Sequence, residues 1–202
     1  MKSIAKKILS LAVTAATAVF CTGCAGHAGG ITLTSMRTHQ QFDQGFADGY
    51  VCHNAKGDLD VVLIDTATAQ TLAGHESSAP VRQILHLRVL WQPERDMKVT
   101  DSAACNASVH WYVLGGNPKG ILEYTGTAFV STTRFSDLVR VHVQNAQVKA
   151  LPTTAGLYDP VGPSKLEGSL FAHENVRIVN QLLDQVNATV ADARDSARVA
   201  VR

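Results

Sequence analysis

Between Gly57 and Ala172 apolar residues come in runs of strand length, rich in Val, Ile, Thr and aromatics and broken by clusters of Gly, Pro, Asn and Asp. Side chains on a strand alternate between two faces, so such runs commit the chain to sheets. From Val81 to Trp91 the alternation puts Leu85, Leu87, Val89 and Trp91 on one face and Ile84, His86, Arg88 and Leu90 on the other. Ala107 to Leu114 repeats it, with Val109, Trp111 and Val113 opposite His110, Tyr112 and Leu114. Leu59 to Asp65 is almost continuously apolar, the pattern of a strand buried on both faces. Further strands are expected at Phe46–His53, Ile121–Ser131, Ser136–Leu151 and Leu166–Ala172, with Gly115–Gly120 as a hairpin connection. The connections are too short for crossover helices, so antiparallel pairing follows.

After Ala172 the period changes. Val176, Val179, Leu183, Val186, Val190, Ala193 and Ala197 recur at alternating spacings of three and four, which predicts an amphipathic helix over 175–197 capped by Asn175. The stripe is expected to dock on the sheet of its own domain, with a partner helix as the alternative. The fold class is α+β, mainly β: an antiparallel sheet or two-layer β-sandwich of about seven strands with a C-terminal amphipathic helix.

The first residues have a different plan. Lys2, Lys6 and Lys7 precede an apolar segment from Ile8 to Phe20, followed by Cys21-Thr22-Gly23-Cys24. A positive n-region, a short apolar core and small residues make a secretory signal peptide. At ~1.5 Å per residue that apolar segment is shorter, as a helix, than the ~30 Å hydrocarbon core of a bilayer. The segment resembles the lipobox of bacterial lipoproteins, with Cys21 standing where the family usually has Leu. The resemblance covers only the leader, and the mature domain is assigned to no family. It implies cleavage before Cys24 and a covalent lipid of palmitate type on that thiol. It divides the chain into a leader over 1–23, a flexible tether over 24–33 and one β-rich domain over 34–202. Ala25 after the cysteine implies the outer membrane, facing the periplasm; ordinary secretion with a free Cys24 is the alternative.

Removing the leader leaves Cys24, Cys52 and Cys105. Acylating Cys24 restores an even count, which favours a Cys52–Cys105 disulfide over two free thiols. The leader also takes three of the 18 basic residues, leaving 15 against 17 acidic ones and a formal charge of minus 2. No electrostatic case for nucleic acid remains, and no basic run supplements the acyl chains as the membrane contact.

The one polar constellation is His86 with Arg88, His110 with Tyr112, and Arg140 with His142, each pair sharing a sheet face. Converging histidines would suit zinc or copper, and histidine with arginine an anion. The competing reading is the half-wet face that an antiparallel sheet needs anyway. Cys52, His53 and Cys105 lack the spacing of a metal site. The long connections, 92–104 with its charges and 152–164 with Leu157 and Tyr158, are candidate contacts for a partner. GxSxG, HExxH, GxxxxGK[ST] and GxGxxG are all absent from the sequence. Asn106 and Asn187 open glycosylation sequons, read as accidental matches. No cofactor is expected. The leading expectation is a non-catalytic binding or scaffolding lipoprotein with an envelope partner. A metal- or anion-binding lipoprotein is second, and a hydrolase with a spatially assembled triad is third.

Overall fold

The computed structural model describes residues 29–75, 81–93, 104–115, 120–151, 159 and 161–200. Among these residues nine strands and two helices follow one another: β1 (Gly29–Ser35), β2 (Gln41–Phe46), β3 (Asp48–His53), β4 (Leu59–Ile64), α1 (Thr66–Leu72), β5 (Val81–Val89), β6 (Ala107–Gly115), β7 (Gly120–Phe135), β8 (Leu138–Ala150), β9 (Ser164–Glu174) and α2 (Val176–Ala200). The strands form one sheet in the order β2-β1-β9-β3-β4-β5-β6-β7-β8, and β8 pairs again with β9. That last pairing closes seven strands, β3 to β9, into a barrel. The expected sandwich is thereby corrected. Alternation fixes which face a residue occupies but not whether the first and last strands meet.

Among the described residues all strand pairings are antiparallel except one. β3 runs parallel to the end of β9 through Tyr50↔His173 and Val51↔Glu174. Further back on the same edge of β9, β1 pairs antiparallel from Gly29↔Leu170 to Ser35↔Ser164. β9 therefore holds two partners end to end on one side and β8 on the other.

The barrel interior is filled by the alternate residues the sequence assigns to one face, among them Leu85, Leu87, Val109, Val141 and Val143. Trp111 and Tyr124 stack there with ring centroids 4.8 Å apart. The Tyr124 hydroxyl donates to Asp159 Oδ1 at 2.6 Å. Burial, and then this carboxylate, push the phenol above its usual pKa. At the start of β6 the buried Asn106 amide donates to Trp91 O and Val130 O and accepts from Val130 N, standing in for a ladder step. Those bonds occupy the first sequon asparagine.

β4 is buried at every position, as its apolar run implies. Leu59, Val61 and Leu63 face the interior, while Val62 and Ile64 lie under α2 with Ile84, Leu114 and Ile121. α2 thus docks on its own domain. Its start is tied to β3 by Asn175, whose backbone N–H donates to Val51 O and whose side chain caps Ile178 N at 3.1 Å. The buried stripe is Val179, Leu182, Val186 and Val190, each worth about 2 kcal/mol relative to exposure. Val176, expected to open that stripe, is 53% exposed, and the Ala197 side chain lies outside the described residues.

Two elements depart further from expectation. β1 takes in residues 29–33, the end of the expected tether, because Ile31 and Leu33 join the interior. α1 was not anticipated: it buries only Ala67 and Thr68, and its signal is Asp65, whose side chain caps Thr68 N at 2.8 Å. Among the described residues no helix is long and apolar enough to cross a membrane.

Closure needs close backbone approach at interior-facing positions. A Cβ added to Gly126 on β7 would lie 1.7 Å from Gln147 O, and one on Gly168 of β9 would lie 2.3 Å from Gly30 O. Glycine at such points lets the strands coil tightly. We expect Gly126→Ala to destabilise the protein by at least about 2 kcal/mol. Gly45→Ala, whose new atom meets nothing within 4 Å, should stay within about 0.5 kcal/mol of the parent. Urea unfolding of the two variants side by side checks this.

Candidate functional site

β3 to β7 carry a polar patch on the outer face of the barrel. Register places Cys52 opposite Asp60, Asp60 opposite Arg88, and His86 opposite His110. Asp60 sits in an otherwise apolar strand and is 2% exposed. A carboxylate so placed must be compensated. His86 Nε2 lies 2.7 Å from Asp60 Oδ1, and Arg88 Nε donates to the same oxygen at 3.0 Å. Asn54 Nδ2 donates to Oδ2 at 3.1 Å. Burial raises the Asp60 pKa, but the hydrogen bonds and positive charge of His86 and Arg88 outweigh it and leave the group below its usual value.

The patch continues through the rings. His86 and His110 stack with centroids 6.2 Å apart, His110 stacks on Tyr112 at 6.1 Å, and His110 Nδ1 lies 3.2 Å from Glu123 Oε1. Two buried carboxylates, two imidazoles and a guanidinium thus form a chain across four strands. Its side chains hydrogen-bond one another from strand to strand, which suits fixing the register of β4 to β7.

The other sequence candidates lie elsewhere. His110 aligns with Thr125 and Thr125 with Lys149, so His142 is seven residues further along β8, roughly 20 Å away. Gln144 Nε2 lies 2.7 Å from His142 Nε2, and His142 Nδ1 lies 2.8 Å from Ser169 Oγ and 3.1 Å from Gly168 O. Arg140 is opposite Phe171 on that distant face. The expected convergence of three histidines, with Arg88, Tyr112 and Arg140 around them, is therefore corrected to a His86–His110 pair with Arg88 and Tyr112. Among the described residues no group of three or more His, Cys, Asp and Glu side chains is arranged to hold a metal ion.

Cys52 and Cys105 are free thiols, the first buried and the second exposed. The expected disulfide is overturned by the register. Cys52 is three strands from Ser108, about 14 Å at ~4.8 Å per strand, against the ~7 Å limit for bridged Cα atoms. Burial, then the Asp60 and Glu174 carboxylates, push the Cys52 thiol up and keep it protonated. The parity argument for acylating Cys24 falls with the disulfide. Cys24 itself, Leu157 and Tyr158 lie outside the described residues, as does most of the charged connection over 92–104.

One concave feature adjoins the patch. α1, α2 and the ends of β5 and β6 enclose a groove of about 310 Å³, lined by Thr68, Thr71, Ile84, Leu114 and Gln185, with Arg82 entering from the sheet. Arg82 shares the outer face with Ile84, His86 and Arg88 because it is two, four and six residues before them on β5. No sequence signal marks this groove, since it depends on where α2 crosses the sheet. No protein-family model, curated protein or solved structure matches the chain.

The depressed pKa of Asp60 has a signed consequence. Its stabilising contribution is complete above the unfolded carboxylate value near ~4 and is lost as pH falls through the lower folded value. Asp60→Asn should cost about 3 kcal/mol at neutral pH, because His86 and Arg88 lose their counter-charge. Between about pH 6 and about pH 2.5 the parent should lose more stability than the variant. Parallel urea midpoints for the two proteins over that range would contradict the assignment.

Proposed function

We propose that the chain is a lipid-anchored protein of the bacterial cell envelope that binds another envelope component without catalysing a reaction. The observation that carries this reading is the leader: Lys2, Lys6 and Lys7, the apolar run to Phe20, and Cys21-Thr22-Gly23-Cys24. An acyl group on Cys24 sets β1, which starts at Gly29, within about 17 Å of the bilayer, at ~3.5 Å per extended residue. Ala25 favours the outer membrane, with the domain in the periplasm.

Two further observations support binding. The histidine, arginine and carboxylate side chains of the outer patch hydrogen-bond one another, as in a structural network. Barrel closure leaves β2 at the end of the sheet order, so its outer edge is where a partner strand would add. Asp43 on β2 is exposed and bonded to Thr32, which gives that edge a polar character.

Growth with a clickable palmitate analogue, followed by mass spectrometry and fractionation, tests the anchor. The parent chain should carry label on Cys24 and sediment with membranes, and Cys24→Ser should lose the label and appear in the soluble fraction. An unlabelled parent, or a labelled Cys24→Ser variant, would exclude this reading.

A further inference from the structure

The groove beside α2 contains a charge, that of Arg82, with no opposite charge beside it among the described residues. Arg82 and Arg88 are the half-buried arginines among the described residues, on the same face of β5. Arg88 is paired with Asp60, and Arg134, an exposed arginine, with Glu174. Arg82 has no carboxylate within ion-pair distance and no side-chain hydrogen bond among the described residues. A partly desolvated guanidinium without a partner is an anion receptor, and its planar fork suits a carboxylate.

The walls narrow the ligand further. Ile84, Leu114, Leu72 and Val186 supply apolar surface. The Thr71 and Thr189 hydroxyls donate to Ala67 O at 3.0 Å and Gln185 O at 2.8 Å. With their protons committed, those oxygens offer lone pairs, which call for an N–H or O–H on the ligand. The Gln181 amide, also at the groove, has no hydrogen bond among the described residues. The volume, about 310 Å³, lies at the small end of ligand sites.

We propose that this groove binds an acylated amino acid or the C-terminal carboxylate of a short peptide, with Arg82 receiving the carboxylate and the Ile84–Leu114 surface receiving an apolar side chain. The assignment deepens the reading of the protein as a binding protein and does not depend on the lipid anchor.

The test is a titration of the detergent-solubilised full-length chain, followed by NMR. N-acetyl-leucine is the probe, N-acetyl-leucinamide its uncharged isostere, Gly-Gly-Leu the peptide form and inorganic phosphate the plain anion. The acid should bind saturably with a Kd on the order of 1 mM or tighter. The amide should bind at least about tenfold more weakly, and Arg82→Gln should weaken the acid by a similar factor while Arg82→Lys retains part of the affinity. Gly-Gly-Leu binding more tightly than N-acetyl-leucine would identify a peptide terminus, and the reverse an acylated amino acid.

Ala188 also lines the groove; Ala188→Phe keeps Arg82 but fills the space, so it should also abolish binding, and unchanged urea midpoints show that both variants fold. Equal binding of acid and amide, equal binding of phosphate and acid, or full affinity in Arg82→Gln would each overturn the proposal. Absence of carboxylate binding with acyl label intact on Cys24 removes this site and leaves the anchor standing. Carboxylate binding by a chain without the label does the opposite.

Discussion

Closure of the sheet on β9 is the constraint on which the rest of the structure depends. β8 fills one edge of that strand from Leu138↔His173 to Val148↔Ser164, while β1 and then β3 fill the other. Without these pairings β8 would present a long row of unpaired backbone groups, and the interior residues of seven strands would face water. Closure also explains the glycines. Gly126 and Gly168 stand where the neighbouring backbone comes within the reach of a single methyl group. Curvature and interior packing are thus set by the same positions.

A closed barrel turns its remaining residues outward, and α2 covers part of that outer surface. β4 is buried on both sides as a result, with the interior on one and the helix stripe on the other. Asp60 is the exception within it, and its burial makes His86, Arg88 and Asn54 necessary partners. The β4–β5 part of the polar patch on the outer face therefore follows from one buried carboxylate, and the β6–β7 part is built around a second, Glu123. Arg82 has no such partner among the described residues. It lies two turns of alternation before His86 on the same face, where the helices leave a groove rather than a packed layer.

How much of this could be read from the sequence depends on what each residue had to bury. β5, β6 and β8 were legible because Leu85, Val109 and Val141 alternate with polar neighbours, and α2 because Val179, Val186 and Val190 repeat with the helical period. β2 was not, because most of Gln41–Phe46 faces solvent and its pattern has nothing to bury. β1 begins with Gly29-Gly30, which reads as linker until β9 is placed beside it. Asp60 gave a signal that went unused: a carboxylate inside an apolar run implies buried partners. The His86–His110 pairing and the separation of His142 were beyond reach, since both depend on register and on the irregularity between Thr127 and Phe129. The Cys52–Cys105 bridge failed for the same reason. Parity counts thiols but carries no distances.

The outer side of the barrel carries a hydrogen-bonded polar network and, in Arg82, an arginine with no partner among the described residues. Both outer features exist only if the sheet closes, because closure decides which residues face out and where α2 lies. Hydrogen–deuterium exchange resolved to single amides tests that closure directly. The amides of β8 and β9 that point along the sheet should rank among the slowest in the chain on both edges, while β2 amides on its outer edge exchange rapidly. Rapid exchange along one whole edge of β8 or β9, matching that of β2, would show an open sheet and contradict the account.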